Sequence, residues 1–420
     1  MSTTDSPAPT ASPGDGSIGS LLRNRQFTLV LGAAFFSNIG RWMQQVVLGI
    51  FAWELTESPS FTTRVIFAQF VPMLFLAVVG GTVADVFDRR KLLIGTQLWQ
   101  AIGAIVLGIM VFDGDIGRST LLAVVFLTGI AQAFFGPAFS AVLPSLAGPG
   151  NLPQAISINS TQMNASRVIG PAIGAWLATV YDVWLVFVIN GVSYLTIITA
   201  LAFVDLPPAR PVPGSAIQRL TSGFRIARGA EQIRQPLALM ATFALLCLPF
   251  IGLMPVIAEL SLGVDARSTT YGVLYGVFGF GAVLGAASVS TALRNLDSQT
   301  IVRGALAGFA VSLAVLASLR SVTFAYPTVF FLGMFYFTMP TALTTFMQVH
   351  LADEIRGRIM ALWMVAFGGM VPINNLLSGP AVELTSVTTV LLFGALVAVF
   401  LGVVVRLRPG PEYGEILTDG

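Results

Sequence analysis

Five ionisable side chains crowd into seven positions at Asp85, Asp88, Arg89, Arg90 and Lys91, in a chain whose 420 residues are only 10% charged. Carboxylates set among guanidiniums can pair, and a pair that forms and breaks can fasten two parts of a molecule and then release them. Gly81 opens this run, and two further arginines, Arg356 and Arg358, stand far down the chain. The remaining polar chemistry is sparse and lies inside long apolar stretches. Asn38, Arg41 and Gln45 follow at i, i+3 and i+7, one face of a helix. Asn159 and Gln162 share a face, and Arg167 lies close to the same stripe; Asn374 and Asn375 form a third polar spot. These residues offer hydrogen bonds and positive charge. Groups able to give up a charge are fewer: Glu54, Glu259, Asp85, Glu383 and His350. One cysteine, Cys247, and one histidine exclude an intrachain disulfide, a Cys-based metal cluster and a His-rich site, so no metal is expected. No phosphate-binding Gly-x-x-x-x-Gly-Lys-Ser/Thr loop occurs, so neither ATP nor any other cofactor is expected.

The elements that carry these residues are dictated by composition. The chain is 55% hydrophobic with 42 glycines, more apolar surface than a water-soluble globule can use but what a bundle of lipid-facing helices needs. Net charge is only +2, which gives no reason to expect a nucleic-acid partner. Runs of about 20 apolar residues, each able to cross about 30 Å of hydrocarbon, recur at 27–53, 61–83, 92–112, 120–143, 155–180, 184–203, 237–260, 271–293, 301–319, 327–349, 359–377 and 387–405. The expected fold class is therefore an all-α membrane protein of twelve transmembrane helices. With both termini cytoplasmic, the inner segments hold 16 of the 22 basic residues and the outer segments 4, with Arg41 and Arg167 inside spans. That asymmetry fixes the expected orientation.

Residues 1–26 read as a disordered cytoplasmic tail and 407–420 as a second tail; neither end has the order of a signal peptide. The longest break, 206–236, carries Pro207, Pro208, Pro211 and Pro213, then a basic amphipathic stretch from Ile217 to Arg234. That stretch reads either as a short helix on the inner membrane face or as a solvated linker. It divides the spans into bundles at 27–205 and 237–406. The two repeat one another weakly: a slide of 203 places Pro137 on Pro340, and a slide of 204 places Gly81 on Gly285 and Arg90 on Arg294.

Arg41 lies roughly 21 Å into its span at 1.5 Å per residue, so it either faces a cavity or snorkels outward. Gly170, Pro171 and Gly174 follow Arg167 and supply close packing and a place to bend. Glu54 and Glu259 sit at the outer ends of spans 1 and 7; each is a proton-coupling candidate or a solvated end residue. No acidic residue lies mid-span, so coupling through bound substrate stays open.

The run from Gly81 to Lys91 resembles the Gly-x-x-x-Asp-x-x-x-Arg-Arg/Lys signature of the major facilitator superfamily, which joins the second and third membrane helices. Val86 stands where the family has a basic residue, Asp88 where it has glycine, and the second-half copy near Arg294 lacks its aspartate. The Asp88-Arg89-Arg90 variant is similar to exporters of the enterobactin and macrolide or multidrug efflux branch. So are Asn38 to Gln45, Ala155 to Ser160 and Arg167 to Gly174. The resemblance implies two pseudo-symmetric six-helix bundles. It also implies a gate in which Asp85 faces Arg356 and Arg358 across the bundles, with Asp88, Arg89, Arg90 and Lys91 beside it. Asp85 can pair with Arg89 as well if its helix continues. The arginines alone could instead serve only to set topology. The implied function is export of a small, largely apolar molecule (siderophore, antibiotic or drug) by alternating access with proton antiport, by a monomer in the bacterial inner membrane. Uptake by proton symport is the alternative. A membrane enzyme would need clustered His, Asp or Glu at a membrane face, which the chain lacks.

Overall fold

A computed structural model describes residues 18–407 except 115, 149, 207–215 and 352; a few side chains within helices, Asp85 among them, fall outside the description. The expected tails (1–17 and 408–420) and the linker prolines lie outside it as well. Among the described residues every regular element is helical: α1 (Ile18–Arg23), α2 (Arg25–Thr56), α3 (Pro59–Val86), α4 (Arg89–Phe112), α5 (Arg118–Ala147), α6 (Leu152–Val180), α7 (Val183–Ala202), α8 (Ala216–Gly229), α9 (Glu231–Leu246), α10 (Phe250–Leu262), α11 (Thr269–Ser290), α12 (Ser298–Ser318), α13 (Val322–His350), α14 (Asp353–Met364), a π-helical turn (Val365–Gly369), α15 (Met370–Leu384) and α16 (Val387–Val404).

Side-chain caps set many of the helix starts. Asn24, Ser58, Asp88, Ser268, Asp297 and Ser386 each accept from an amide in the first turn that follows. At Asp297, hydrogen bonds from the Thr300 hydroxyl and amide hold the exposed carboxyl below its ordinary range. The Asp88 cap matters most. Helix α3 stops at Val86, Phe87 is extended, and α4 starts afresh at Arg89. The helix therefore does not continue from Asp85 to Arg89, and the expected i, i+4 pair has no common helix to stand on. Two more boundaries shift: residues 18–23 are already helical and α2 starts at Arg25, and the amphipathic stretch is a helix that ends at Gly229, so Arg234 belongs to α9.

Among the described residues ten helices are long and apolar enough to cross a membrane, counting α9 with α10 and α14 with α15 as single spans. Of the twelve expected spans, α2 and α6 fall short. They carry the two polar stripes, which dilute their apolar character. Two spans are broken for a physical reason. Pro249 has no N–H to give to the Leu245 carbonyl, so α9 and α10 part there, and Asn374 Nδ2 fills the vacant acceptor at 2.7 Å. The π turn interrupts the span that carries Asn374 itself.

Packing repeats along the chain. Helix α3 lies against α5 as α11 lies against α13, and α4 against α7 as α12 against α16. In both of the tighter pairs a glycine presses on a carbonyl: Gly80 on Ala133 and Gly129 on Gln69, then Gly285 on Met334 and Gly333 on Phe278. Gly129 and Gly333 are 204 residues apart, the register of the sequence repeat. Gly81 itself meets nothing, and its neighbour Gly80 makes the contact. The largest buried apolar cluster is drawn mostly from residues 227–407, and the buried members of three smaller ones lie within 21–204, 43–187 and 101–194. Contacts of α6 with α11 and of α3 with α15 join the two regions.

Candidate functional site

The polar stripes of α2 and α6 meet. Gly170 and Gly174 let α6 settle on the backbone of α2 at Ile39, Trp42 and Met43, where any side chain would collide. Pro171 sits between them inside an unbroken helix. One turn before Gly170, this contact delivers Arg167 to the face of Trp42, with the guanidinium carbon 5.2 Å from the ring centroid. Phe337 of α13 covers it from a second ring at 5.3 Å. Arg41, from α2, also lies 5.7 Å from the Trp42 ring. Both arginines lie deep in the bundle and are half-buried by their neighbours.

Neighbouring amides satisfy one another. Asn38 Nδ2 donates to Gln162 Oε1 at 3.2 Å, and Gln162 Nε2 donates to Asn159 Oδ1 at 3.0 Å. Gln45 makes no hydrogen bond, whereas buried Gln44 accepts from Asn190 Nδ2 at 2.5 Å, and Asn190 reaches the Tyr194 hydroxyl at 3.4 Å. Sequence reasoning missed Gln44, Asn190 and Tyr194. The only signal was that Gln44 follows Arg41 at i+3, which places it toward α7 beside the same stripe. Asn374 and Asn375 are not part of this cluster. Their amide nitrogens bond Leu245 and Val371 carbonyls, and they sit among α9, α10 and α3.

At one end of the bundle, side chains tie the early helices to the late ones. Arg267, in the turn before α11, pairs with Glu54 at the end of α2 and approaches Asp182 at 3.6 Å. Its carbonyl accepts from the Thr179 hydroxyl of α6 at 2.5 Å. Glu259 holds that turn by accepting from the Ala266 amide at 3.2 Å. A second tie places the Glu383 carboxylate on the N-terminus of α3, where it accepts from Ser58 Oγ at 2.7 Å and the Ser60 amide at 3.1 Å.

The opposite end holds the charged run. Asp88 is spent as the α4 cap, accepting from the Lys91 amide at 2.9 Å, while Lys91 itself is exposed. Arg89 donates to the Ala141 carbonyl of α5 at 3.2 Å, and Arg90 donates to the Val204 carbonyl and lies 3.9 Å from Asp205. These bonds stay within the first 205 residues. Arg356 donates to the Leu351 carbonyl at 2.9 Å, and the Arg358 backbone packs on Gly223 of α8. Both arginines lie within the first two turns of α14, which begins two residues before the expected helix end at Ile355. Gly81 has no close neighbour, and the Asp85 side chain is not among those described.

A family model described as transmembrane secretion effector matches residues 17–415. The chain belongs to this major facilitator family. Its relatives include the staphyloferrin A transporter of Staphylococcus aureus, 23% identical over 82% of this chain and 86% of that one. The enterobactin exporter of Shigella flexneri is 26% identical over 74% and 72%. Macrolide efflux protein A of Streptococcus pyogenes is 25% identical over 47% and 48%. Among solved structures, the nucleoside transporter NupG superposes with a TM-score of 0.73 at 12% identity, over 90% of this chain and 98% of that one. A bacterial homologue of the iron transporter ferroportin gives 0.69 at 15%, over 90% and 98%. These likenesses identify a non-enzymatic, multi-pass major facilitator transporter. Two hollows on this transporter, of about 450 and 580 Å³, are apolar. One lies between α6 and α11, with exposed Trp176 and Phe280 in its wall, and the other runs beside α2; neither touches Arg41 or Arg167. Exposed aromatic walls fit a lipid-facing groove, so the site rests on the arginine cluster.

Proposed function

We propose that this transporter exports a small, largely apolar molecule across the bacterial plasma membrane by alternating access, in exchange for protons moving inward. The observation that carries this reading is the meeting of Arg41 and Arg167 at Trp42, deep in the bundle, with cross-chain ties gathered at one end. In this reading twelve spans cross the membrane, α2 and α6 included, with both termini cytoplasmic and bundles at 27–205 and 237–406 that rock as a monomer. The tied end is then the outer one, and it is closed. Relatives named for moving staphyloferrin A, enterobactin and macrolides support a cargo of siderophore, antibiotic or drug type.

Opening outward must break two ties, at Arg267 and at Glu383. Glu54 is the favoured proton acceptor, because neutralising its carboxyl removes the charge that holds Arg267. Glu259 acts beside it by keeping the Arg267 turn in place. At the inner end, Asp85 closes the gate against the Arg356 and Arg358 region, with Gly81, Arg89, Arg90 and Lys91 shaping the loop. Asn38, Gln45, Asn159 and Gln162 complete the polar wall along the path, while Asn374 and Asn375, buried among α9, α10 and α3, brace the helices behind it.

The test is efflux of a dye and macrolide panel from cells expressing the chain, alongside metabolite profiling of the medium. Asp85→Asn should abolish export while the protein still inserts, and an ionophore that collapses the pH gradient should stop it. Export that persists under the ionophore rules out proton antiport, and unchanged export by the Asp85 variant removes the gate assignment.

A further inference from the structure

We propose that the space between α2, α6 and α13 recognises an organic anion: a carboxylate or comparable planar acid docks edge-on to Arg167 and Arg41, and the apolar body lies along the aromatic wall around Phe337. This rests on the exporter reading of the same cavity and narrows its cargo to an acid-bearing molecule.

The inference follows from counting donors and acceptors. A guanidinium carries five N–H donors and no acceptor. Elsewhere in this protein the arginines of the helix ends spend theirs: Arg89, Arg90, Arg303 and Arg356 each donate to a carbonyl, and Arg267 has Glu54. Arg41 and Arg167 donate to nothing and join no ion pair among the described residues; Arg167 Nε is buried without an acceptor. Trp42 Nε1, between them, is also buried without a partner. Arg41 feels Tyr194 and Arg167, and Arg167 feels Tyr336; no carboxylate among the described residues acts on either. Glu54 lies 13 residues along α2, roughly 20 Å away at 1.5 Å per residue, and is already taken by Arg267. The acceptors nearby are no better placed, since Asn38, Gln162 and Asn159 accept or donate within their own chain of amides.

The cluster is thus rich in donors, short of acceptors and doubly positive, and two like charges held without a counter-ion in a low-dielectric site are unfavourable. What completes it is a ligand rich in acceptors and negative in charge. Geometry selects the form of that ligand. Trp42 and Phe337 lie 5.2 and 5.3 Å from the Arg167 guanidinium carbon, and the planar fork of N–H groups on that guanidinium matches a carboxylate bidentately. The surrounding rings favour an organic body over a bare inorganic ion: Tyr336 packs at 4.7 Å on Phe337 and stacks on Phe278 at 6.0 Å.

The experiment is binding to the full chain in nanodiscs, read by tryptophan fluorescence and thermal shift, with matched probes. A panel of planar aromatic carboxylates, 1-naphthoate first, is compared with the corresponding amides and methylamines, and with chloride and inorganic phosphate alone. The expected result is binding of carboxylates with amides weaker by about 10- to 100-fold, no binding of the amines, and loss of the preference in Arg167→Gln and Arg41→Gln. Arg167→Lys, which keeps the charge but not the fork, should recover binding only in part and guards against misfolding of the neutral variants. Equal binding of amides and carboxylates across the panel, or no carboxylate binding at all, overturns the proposal. So does a preference that survives both glutamine variants, or an inorganic anion that reproduces the full response. The readout is binding, so carboxylate selectivity without transport would overturn the exporter reading and leave this one standing.

Discussion

The residues that matter most here are defined by what their neighbours withhold. Arg41 and Arg167 were legible in the sequence because a charge inside an apolar run is expensive and must have a reason. The approach of Arg167 to Trp42 and Phe337 was not, since those partners lie 125 and 170 positions away in the chain. The same limit hid Arg267, which the sequence placed on the outer side with no sign that it would meet Glu54 from 213 positions away. Glu54→Gln should weaken the outer tie by removing the charge while keeping the shape. The expected outcome is increased labelling of a cysteine placed at Ser58 by an impermeant thiol reagent, and export that responds less to external pH. Unchanged labelling would show that Arg267 does not hold that end. Asn374→Ala leaves the Leu245 carbonyl without its donor and should cost about 1–3 kcal/mol, seen as a lower midpoint of thermal unfolding in detergent.

Among the elements, the helix starts carry the clearest lesson. The residues Asp88-Arg-Arg-Lys91 resembled a charge cluster, and they are also an N-cap followed by a first turn. Reading Asp88 as a cap would have ended α3 before Arg89, because the side chain that satisfies the Lys91 amide needs its own backbone extended. Charge pattern and capping pattern compete for the same letters, and packing decides between them. Glycine positions were partly legible. Gly170 and Gly174 stand four apart in an apolar stretch, the spacing that lets helices touch, but which helix they touch required the fold. Gly174→Val should push α6 off Met43, carry Arg167 away from Trp42 and abolish export, with the protein still inserted. Gly281→Ala meets the Phe330 carbonyl and should cost about 1–3 kcal/mol by overpacking, which a thermal-shift comparison would register.

For the whole molecule, the sequence repeat at 204 residues anticipated the paired packing of α3 on α5 and α11 on α13, since both pairs need a small residue at matching depth. It could not anticipate which end is fastened, because that depends on loops whose contacts cross the chain. A cysteine pair at Ser58 and Glu383, in a Cys247→Ser background, should crosslink under oxidant, stop export, and recover it on reduction. Crosslinking without loss of export would mean that this end need not open. The two ties also have a thermodynamic meaning. Partly exposed ion pairs and carboxylate bonds of this kind are worth about 1 kcal/mol each, so together they favour the closed end by about thirtyfold. In the alternating-access cycle proposed above, that ratio leaves a few molecules in every hundred open at any moment. Cargo or a proton then only has to tip a shallow equilibrium, and turnover is set by how often the minority form is caught rather than by forcing a lock.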